Sequence, residues 1–317
     1  MRRLDVVVVG GAGHVGLPLS IAFADRGLTV AVYDVSERAI TTISSGQLPF
    51  DEPGALEVLK EALESGRLEA TTDPAVLSRA STVVVVIGTP IDKHLNPEAL
   101  DVPRQVAELA PHLRDGQLLV LRSTLYPGVT GMVEGRLKAL GLSLDVAFCP
   151  ERIAEGKAMT ELYSLPQIVA ARSEPVRRRA AELFQRLTDK IVELEPEEAE
   201  LAKLFTNTWR YIKFATANQL FMIANDYGLD YDRIRTALAL DYPRAQDLPG
   251  AGLAAGPCLL KDTMQLAAFN NNQFTLGHSA MLINEGLPLY TVARLEQRFD
   301  LSTMTVGILG MAFKAGS

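Results

Sequence analysis

Apolar residues run in short unbroken blocks through the first two thirds of the chain and return at helical spacing through the last third. Blocks of strand length lie at residues 5–9, 28–33, 82–87, 117–121, 145–148, 167–170 and 190–195. The block at 82–87 has no polar alternation at all, which predicts a strand covered on both faces, as in a parallel sheet. Helical patterns at 17–26, 103–113, 129–140 and 174–187 separate these blocks. Strand and helix alternating in this way predict an α/β fold, a doubly wound parallel sheet of Rossmann type over residues 1–195.

From Pro196 onward the strands stop and helical periodicity takes over. Residues 197–227 read as one helix, with Gly228 as its stop and Ala199, Leu204, Trp209, Ile212 and Leu220 on an apolar side. About thirty residues is far above the usual helix length, so this element is either a subunit interface or a long core helix. Further helices are expected at 230–240, 262–270 and 276–299, making residues 196–300 a helical central domain. The block at 305–317 reads as the first strand of a third α/β domain that the chain then lacks.

Composition narrows the field only modestly. A formal charge of −7 and the absence of a basic cluster with interleaved aromatics argue against a nucleic-acid partner. The apolar runs are too short to span a membrane, and the first residues enter a strand with no signal-like segment. Cys149 and Cys258 are too few for a disulfide framework, which suits a reducing cytoplasmic setting. His14, His94, His112 and His278 are scattered without metal-ligand spacing, so no metal is expected.

Candidate chemistry begins at the first strand. It runs into Gly11, Gly13 and Gly16 in G-x-G-x-x-G spacing, then a helix, a second strand and Asp34. Gly11 permits the tight turn, Gly13 lets the backbone approach a pyrophosphate, and Gly16 allows close packing of helix on strand. His14 and Val15 lie inside the same cofactor-binding loop. A carboxylate at Asp34 can accept both ribose hydroxyls, which favours NAD over NADP. Arg38 suits either a 2′-phosphate or stacking on adenine. Polar segments then close three strands: Gly88-Thr89-Pro90, Arg122-Ser123-Thr124 and Cys149-Pro150-Glu151-Arg152. Ligands of open α/β sheets bind at such carboxyl ends.

A second candidate lies in the helical half. A Gly- and Ala-rich loop delivers Cys258 to the start of a helix, with Lys261 and Asp262 at i+3 and i+4 on one face. A helix N-terminus and a nearby lysine both favour thiolate, the nucleophilic form. A lone cysteine is more commonly inert packing. Lys203 and Asn207 share a face of the long helix, a pairing that is by itself ordinary solvent dressing.

Taken in order, these motifs resemble the nucleotide-sugar 6-dehydrogenases, of the UDP-glucose and UDP-N-acetylmannosamine dehydrogenase type. The resemblance runs from Val6 to Lys314 and includes Pro257-Cys258-Leu259-Leu260-Lys261-Asp262 and Gly310-Met311-Ala312-Phe313-Lys314. It implies an NAD-binding domain, a long central dimer helix and a C-terminal UDP-binding domain of which only the start, 301–317, would be present. It also implies a four-electron oxidation of a sugar C6 alcohol to a carboxylate with two NAD, the UDP-sugar being the substrate. Cys258 would capture the intermediate aldehyde as a thiohemiacetal and carry it as a thioester to hydrolysis. Lys203 would stabilise the oxyanion beside Asn207, Asp262 would be the base or a water-orienting carboxylate near the thiol, and Thr124 and Glu155 would hold a water for proton transfer or thioester hydrolysis. Thr89, Thr124, Glu155 and Lys261 would also meet the cofactor. Glu151, Arg152, Lys203, Asn207, Arg244, Gly252 and Gly256 would contact the sugar nucleotide.

Two departures bear on the substrate. The loop before the cysteine reads Ala254-Ala255-Gly256-Pro257 where family members commonly carry Phe-Gly-Gly and a small residue. The Cys-Pro-Glu-Arg segment looks like the N-acetylhexosamine branch, whereas Cys258 to Asp262 and Glu155 look like the glucose branch. The alternatives are a two-electron hydroxyacid dehydrogenase with Rossmann and helical domains, which needs no cysteine, or a non-catalytic NAD-binding dimeric remnant.

Overall fold

The computed structural model describes residues 2–89, 98–254 and 257–309. The chain forms two compact units: described residues up to Lys203 make the first and those from Leu204 onward the second. The first unit is built on β1 (Leu4–Val9), β2 (Val30–Tyr33), β3 (Leu68–Thr71), β4 (Ala80–Val85), β5 (Leu118–Leu121), β6 (Asp145–Phe148), β7 (Gln167–Ala170) and β8 (Ile191–Leu194). They form one sheet in the order β3-β2-β1-β4-β5-β6-β7-β8. The helices between them are α1 (Gly16–Asp25), α2 (Glu37–Ser44), α3 (Ala55–Glu64), α4 (Asp101–Leu109), α5 (Val129–Ala139), α6 (Ala158–Ser164) and α7 (Glu174–Phe184).

Alternate residues of each strand feed two separate cores. Val6, Val8, Val30 and Val32 pack with Leu17, Phe23, Leu59 and Phe184 on one face. Val7, Val9, Ala31 and Tyr33 pack with Val102, Val106, Val129 and Val133 on the other. Covering both faces with helices is why the central strands contain almost no polar residue. β3, an edge strand with Leu68 buried and the next three residues only partly so, lacks the unbroken apolar block that marks the central strands.

The sheet is parallel as expected except at one junction. β7 meets β6 antiparallel at Phe148 and Ala170, while the other neighbours are parallel. The chain between β6 and β7 is spent on a long loop and on α6, a helix of seven residues. The start of α6 is pinned to the segment before α3 by Glu52, whose carboxylate accepts the Ala158 N–H at 2.8 Å. So short and displaced a helix does not span the sheet as a full crossover does, and the chain re-enters the sheet edge in reverse.

α8 (Pro196–Asp226) opens in the first unit and continues through the second, where α9 (Tyr231–Ala239), α10 (Pro257–Phe269) and α11 (Thr275–Glu296) follow. Gly228, at φ +71°, provides the left-handed turn that ends α8. The strand expected from residue 305 is not formed in the described part of that segment, where 305–309 are irregular. A strand exists only beside a paired neighbour, and among the described residues none flanks it. Residues 310–317, with Gly310 and Lys314, lie outside the described residues. Among the described residues no helix is long and apolar enough to cross a membrane.

Candidate active site

In the first unit the glycine loop has the shape its spacing predicts. A Cβ at Gly11 would lie 2.6 Å from the Val8 carbonyl oxygen, and one at Gly16 would lie 2.5 Å from that of Gly10. Both positions are closed to any side chain. At Gly13 the nearest atom would be 3.6 Å away, so there the loop is open on its outer side. No side chain caps α1, leaving its N-terminus available to an anion. Asp34 ends β2 and accepts the Ala12 N–H at 3.1 Å and the Ser36 N–H at 3.0 Å. Its carboxylate therefore secures the loop and retains lone pairs for a ribose. These features fit a dinucleotide. Val15 is partly buried, while Arg38 lies exposed on the first turn of α2.

At the carboxyl ends of β4 and β5, Ser123 ties the strands together. Its hydroxyl accepts the Ile87 N–H at 2.9 Å and donates to the Ile87 carbonyl at 2.7 Å. Thr89 and Thr124, on either side of this tie, are both partly buried. Pro90 lies outside the described residues.

The loop after β6 is fastened mainly by carboxylates. Arg122, fully buried, donates to Glu151 (2.9 Å), to the Cys149 carbonyl (3.0 Å) and to Gln167 (3.0 Å), with its guanidinium over the Phe184 ring. Glu151 in turn accepts the N–H groups of Arg152 (2.7 Å) and Ile153 (3.0 Å). The Glu151 carboxylate is thus buried and engaged within the loop, and the Arg152 side chain donates to the Pro166 carbonyl. Glu155 is presented outward on the same loop, its Oε1 at 2.9 Å from His14 Nδ1. Two sequence-nominated residues far apart in the chain, His14 and Glu155, are thereby brought together. Cys149 is sealed in the core, and burial pushes its thiol up to about 12.

The other candidates lie on α8 and in the second unit. Cys258 stands exposed in the first turn of α10. Asp262, one turn on, is fully buried and accepts a 2.6 Å hydrogen bond from Asn207 of α8. Lys261 Nζ lies 3.9 Å from Asp262 Oδ1. Lys203 is one helical turn before Asn207 and only partly buried. The loop leading to the cysteine is held by residues that the sequence reading missed. Asn218 accepts the Gly252 N–H at 2.8 Å and donates to Asn284 at 2.9 Å; Asn284 donates to the Tyr211 carbonyl at 3.0 Å. Asn218 and Asn284 are both buried, but an asparagine on an amphipathic helix carries no mark of that in its spacing. Gly252 is exposed, and Gly256 lies outside the described residues. Arg244 is exposed and donates to the Tyr242 hydroxyl at 3.3 Å.

A surface cleft of about 550 Å³ lies at the amino end of β6, between α5 and α7, and holds none of these residues. Among the described residues no cluster of His, Cys, Asp and Glu is arranged to hold a metal ion.

Comparison with known proteins bears on both units. The model of the UDP-glucose/GDP-mannose dehydrogenase family NAD binding domain matches residues 5–188, and that of the family's central domain matches 197–286. UDP-N-acetyl-D-mannosamine dehydrogenase of Yersinia pestis is 30% identical, over 98% of this chain and 78% of its own length. UDP-glucose 6-dehydrogenase AglM of Haloferax volcanii is also 30% identical, over 97% of this chain and 76% of its own. Among solved structures, the UDP-D-ManNAc dehydrogenase of Pyrococcus horikoshii matches with a TM-score of 0.88 at 28% identity, covering 95% of this chain and 73% of that one.

Proposed function

The chain belongs to the UDP-glucose/GDP-mannose dehydrogenase family, and from that premise we propose that it oxidises the C6 hydroxyl of a UDP-hexose to a carboxylate. Membership makes NAD the cofactor, bound by the first unit. When bound, NAD supplies a hydride acceptor, one molecule for each of two successive oxidations. The observation that carries the reading is the exposed thiol of Cys258 in the first turn of α10, beside Lys261 and the buried Asn207–Asp262 pair.

The residues divide the work as follows. The first oxidation turns the alcohol into an aldehyde, its hydroxyl proton passing to a base. The Cys258 thiolate adds to the aldehyde carbon and forms a thiohemiacetal. Lys203, with Asn207, offsets the negative charge that develops on the sugar oxygen. Asp262 is the carboxylate that receives a proton near the thiol, and its bond from Asn207 holds it in one orientation. A second hydride loss converts the thiohemiacetal to a thioester. Thr124 and Glu155 hold the water whose attack on the thioester carbonyl releases the acid and restores Cys258. Arg152, Arg244, Gly252 and Gly256 are assigned to the sugar nucleotide, Glu151 acts from beneath its loop, and Lys261 and Thr89 are assigned to the cofactor.

The proposal extends to assembly. α8 exposes Phe205 (54%), Trp209 (57%), Leu220 (40%) and Ile223 (50%), an apolar display that suits a homodimer through this helix. A reducing, cytoplasmic setting would keep Cys258 a thiol. The named relatives act on UDP-N-acetylmannosamine and on UDP-glucose, so both sugars are the first to try. Mixing the protein with NAD and each UDP-sugar should yield two NADH per sugar consumed. Cys258→Ser should abolish acid formation, a fall of at least ~1000-fold. One NADH per substrate with unchanged turnover in Cys258→Ser would instead mark a simple two-electron dehydrogenase.

A further inference from the structure

The backbone of the loop that carries Glu155 is held by carboxylates. Between Arg152 and Ala158, five backbone N–H groups end on carboxylates. Glu151 accepts those of Arg152 and Ile153, at 2.7 and 3.0 Å. Glu161 accepts that of Ala154 at 2.6 Å. Glu52 accepts the last two, from Gly156 at 2.9 Å and from Ala158 at 2.8 Å. Glu151 and Glu161 are local, but Glu52 comes from the far side of the sequence, in the segment before α3, and is only 2% exposed. Burying a carboxylate is costly unless its partners are well placed. Here both oxygens are given to the two amides that flank Glu155 and Lys157.

The side chain of Glu155 has its own partner from the same neighbourhood. His14 Nδ1 stands 2.9 Å from Glu155 Oε1, and the His14 ring packs on Phe50 with centroids 4.0 Å apart. Phe50 and Glu52 belong to one short segment. That segment therefore reaches Glu155 twice: through Glu52 to its backbone and through Phe50 and His14 to its carboxylate. The cofactor loop and the loop after β6 are joined by this contact inside a single unit.

We propose that Glu52 and His14 are positioning residues for Glu155, Glu52 setting the path of its backbone and His14 the direction of its carboxylate. The assignment rests on the reading of Glu155 as the carboxylate that holds the hydrolytic water. Displacing such a group by about 1 Å is enough to slow a step some hundredfold, so a rigid support has a direct kinetic consequence. A support whose only purpose was to stabilise α6 would affect unfolding and leave the thioester step untouched.

The test compares wild type with Glu52→Ala, Glu52→Gln, His14→Gln and Glu155→Gln. Hydrogen exchange of the protein without NAD is read first, at the amides of Gly156 and Ala158. Losing bonds to a charged acceptor should speed their exchange roughly tenfold or more in Glu52→Ala, with Glu52→Gln intermediate and the sheet amides unchanged. Unchanged exchange at these two amides overturns the role given to Glu52. Turnover of the UDP-sugar is read second. Glu52→Ala, His14→Gln and Glu155→Gln should each lower kcat about 10- to 100-fold, and a sugar thioester should accumulate on Cys258, seen by mass spectrometry. For Glu52→Ala the KM for NAD should stay within about twofold of wild type. If Glu155→Gln accumulates the thioester while the Glu52 and His14 variants behave as wild type, the positioning role is overturned and the reading of Glu155 stands. If Glu155→Gln releases acid normally, the reading of Glu155 fails and the positioning role falls with it.

Discussion

Cys149 and Cys258 both adjoin a proline at the edge of a long loop, and their surroundings are opposite. Cys149 closes β6, is fully buried beneath the Arg122 network, and has its thiol raised to about 12 by desolvation. Cys258 opens α10 and is exposed. The loops differ in the same sense. The one that starts at Cys149 is fastened by charged groups, Arg122, Glu151, Glu161 and Glu52. The one that ends at Cys258 hangs on neutral amides, Asn218 and Asn284. In the first loop the thiol is part of the foundation and a carboxylate is offered outward; in the second the foundation is polar and the thiol is what is offered. Adjacency to proline or to a glycine-rich segment therefore says nothing about which cysteine can react.

The largest contrast should appear in thiol reactivity. At pH 8 a thiol titrating near 12 is about one part in ten thousand thiolate, against roughly a quarter for an ordinary one. A disulfide reagent should modify one thiol of the native protein quickly, at Cys258, and the second only after unfolding, with rates differing at least ~1000-fold. Raising the pH should not close that gap until it approaches the Cys149 value, because only the thiolate attacks. Rapid modification of both thiols in the native protein would erase the distinction.

The two foundations should then differ in what their loss costs. Arg122→Met leaves the buried Glu151 carboxylate without its cation and should destabilise the first unit by about 3–5 kcal/mol. Asn218→Leu removes neutral bonds and should cost less, about 1–3 kcal/mol, most of it from the stranded side-chain carbonyl of buried Asn284. Denaturant titrations of both variants read the difference directly. Equal losses would mean that charge adds nothing to how firmly the first loop is held.

Much of the site was legible in the chain itself, for a stated reason in each case. Gly11, Gly13 and Gly16 followed from spacing, because a tight strand-to-helix turn admits no Cβ at two of the three. The position of Cys258 at a helix start followed from the pattern after it. Other residues were legible only by type. Glu151 was named for a substrate cleft, yet its carboxylate is engaged by Arg122 and by its own loop. Glu52 drew no attention, because a glutamate before a proline in a polar segment reads as solvated until the fold buries it. Asn218 and Asn284 were hidden in helices for the same reason. The reversed β7 was equally invisible, since strand direction depends on how far the preceding helix travels and not on the strand's own residues.

By itself the sequence determined the features that depend on neighbours along the chain. These are the alternation of strands and helices in the first half, the dinucleotide loop, the long α8, and the set of motifs that marks the family. Such features follow from local sterics and from apolar periodicity, which act over a few residues. Only the tertiary structure decided which ionisable and polar side chains are buried and whom they meet: Glu52 with Gly156 and Ala158, His14 with Glu155, Asn207 with Asp262, and Cys149 sealed where Cys258 is open. Those outcomes turn on desolvation and on contacts between segments tens to over a hundred residues apart, and neither quantity is written in any one stretch of chain.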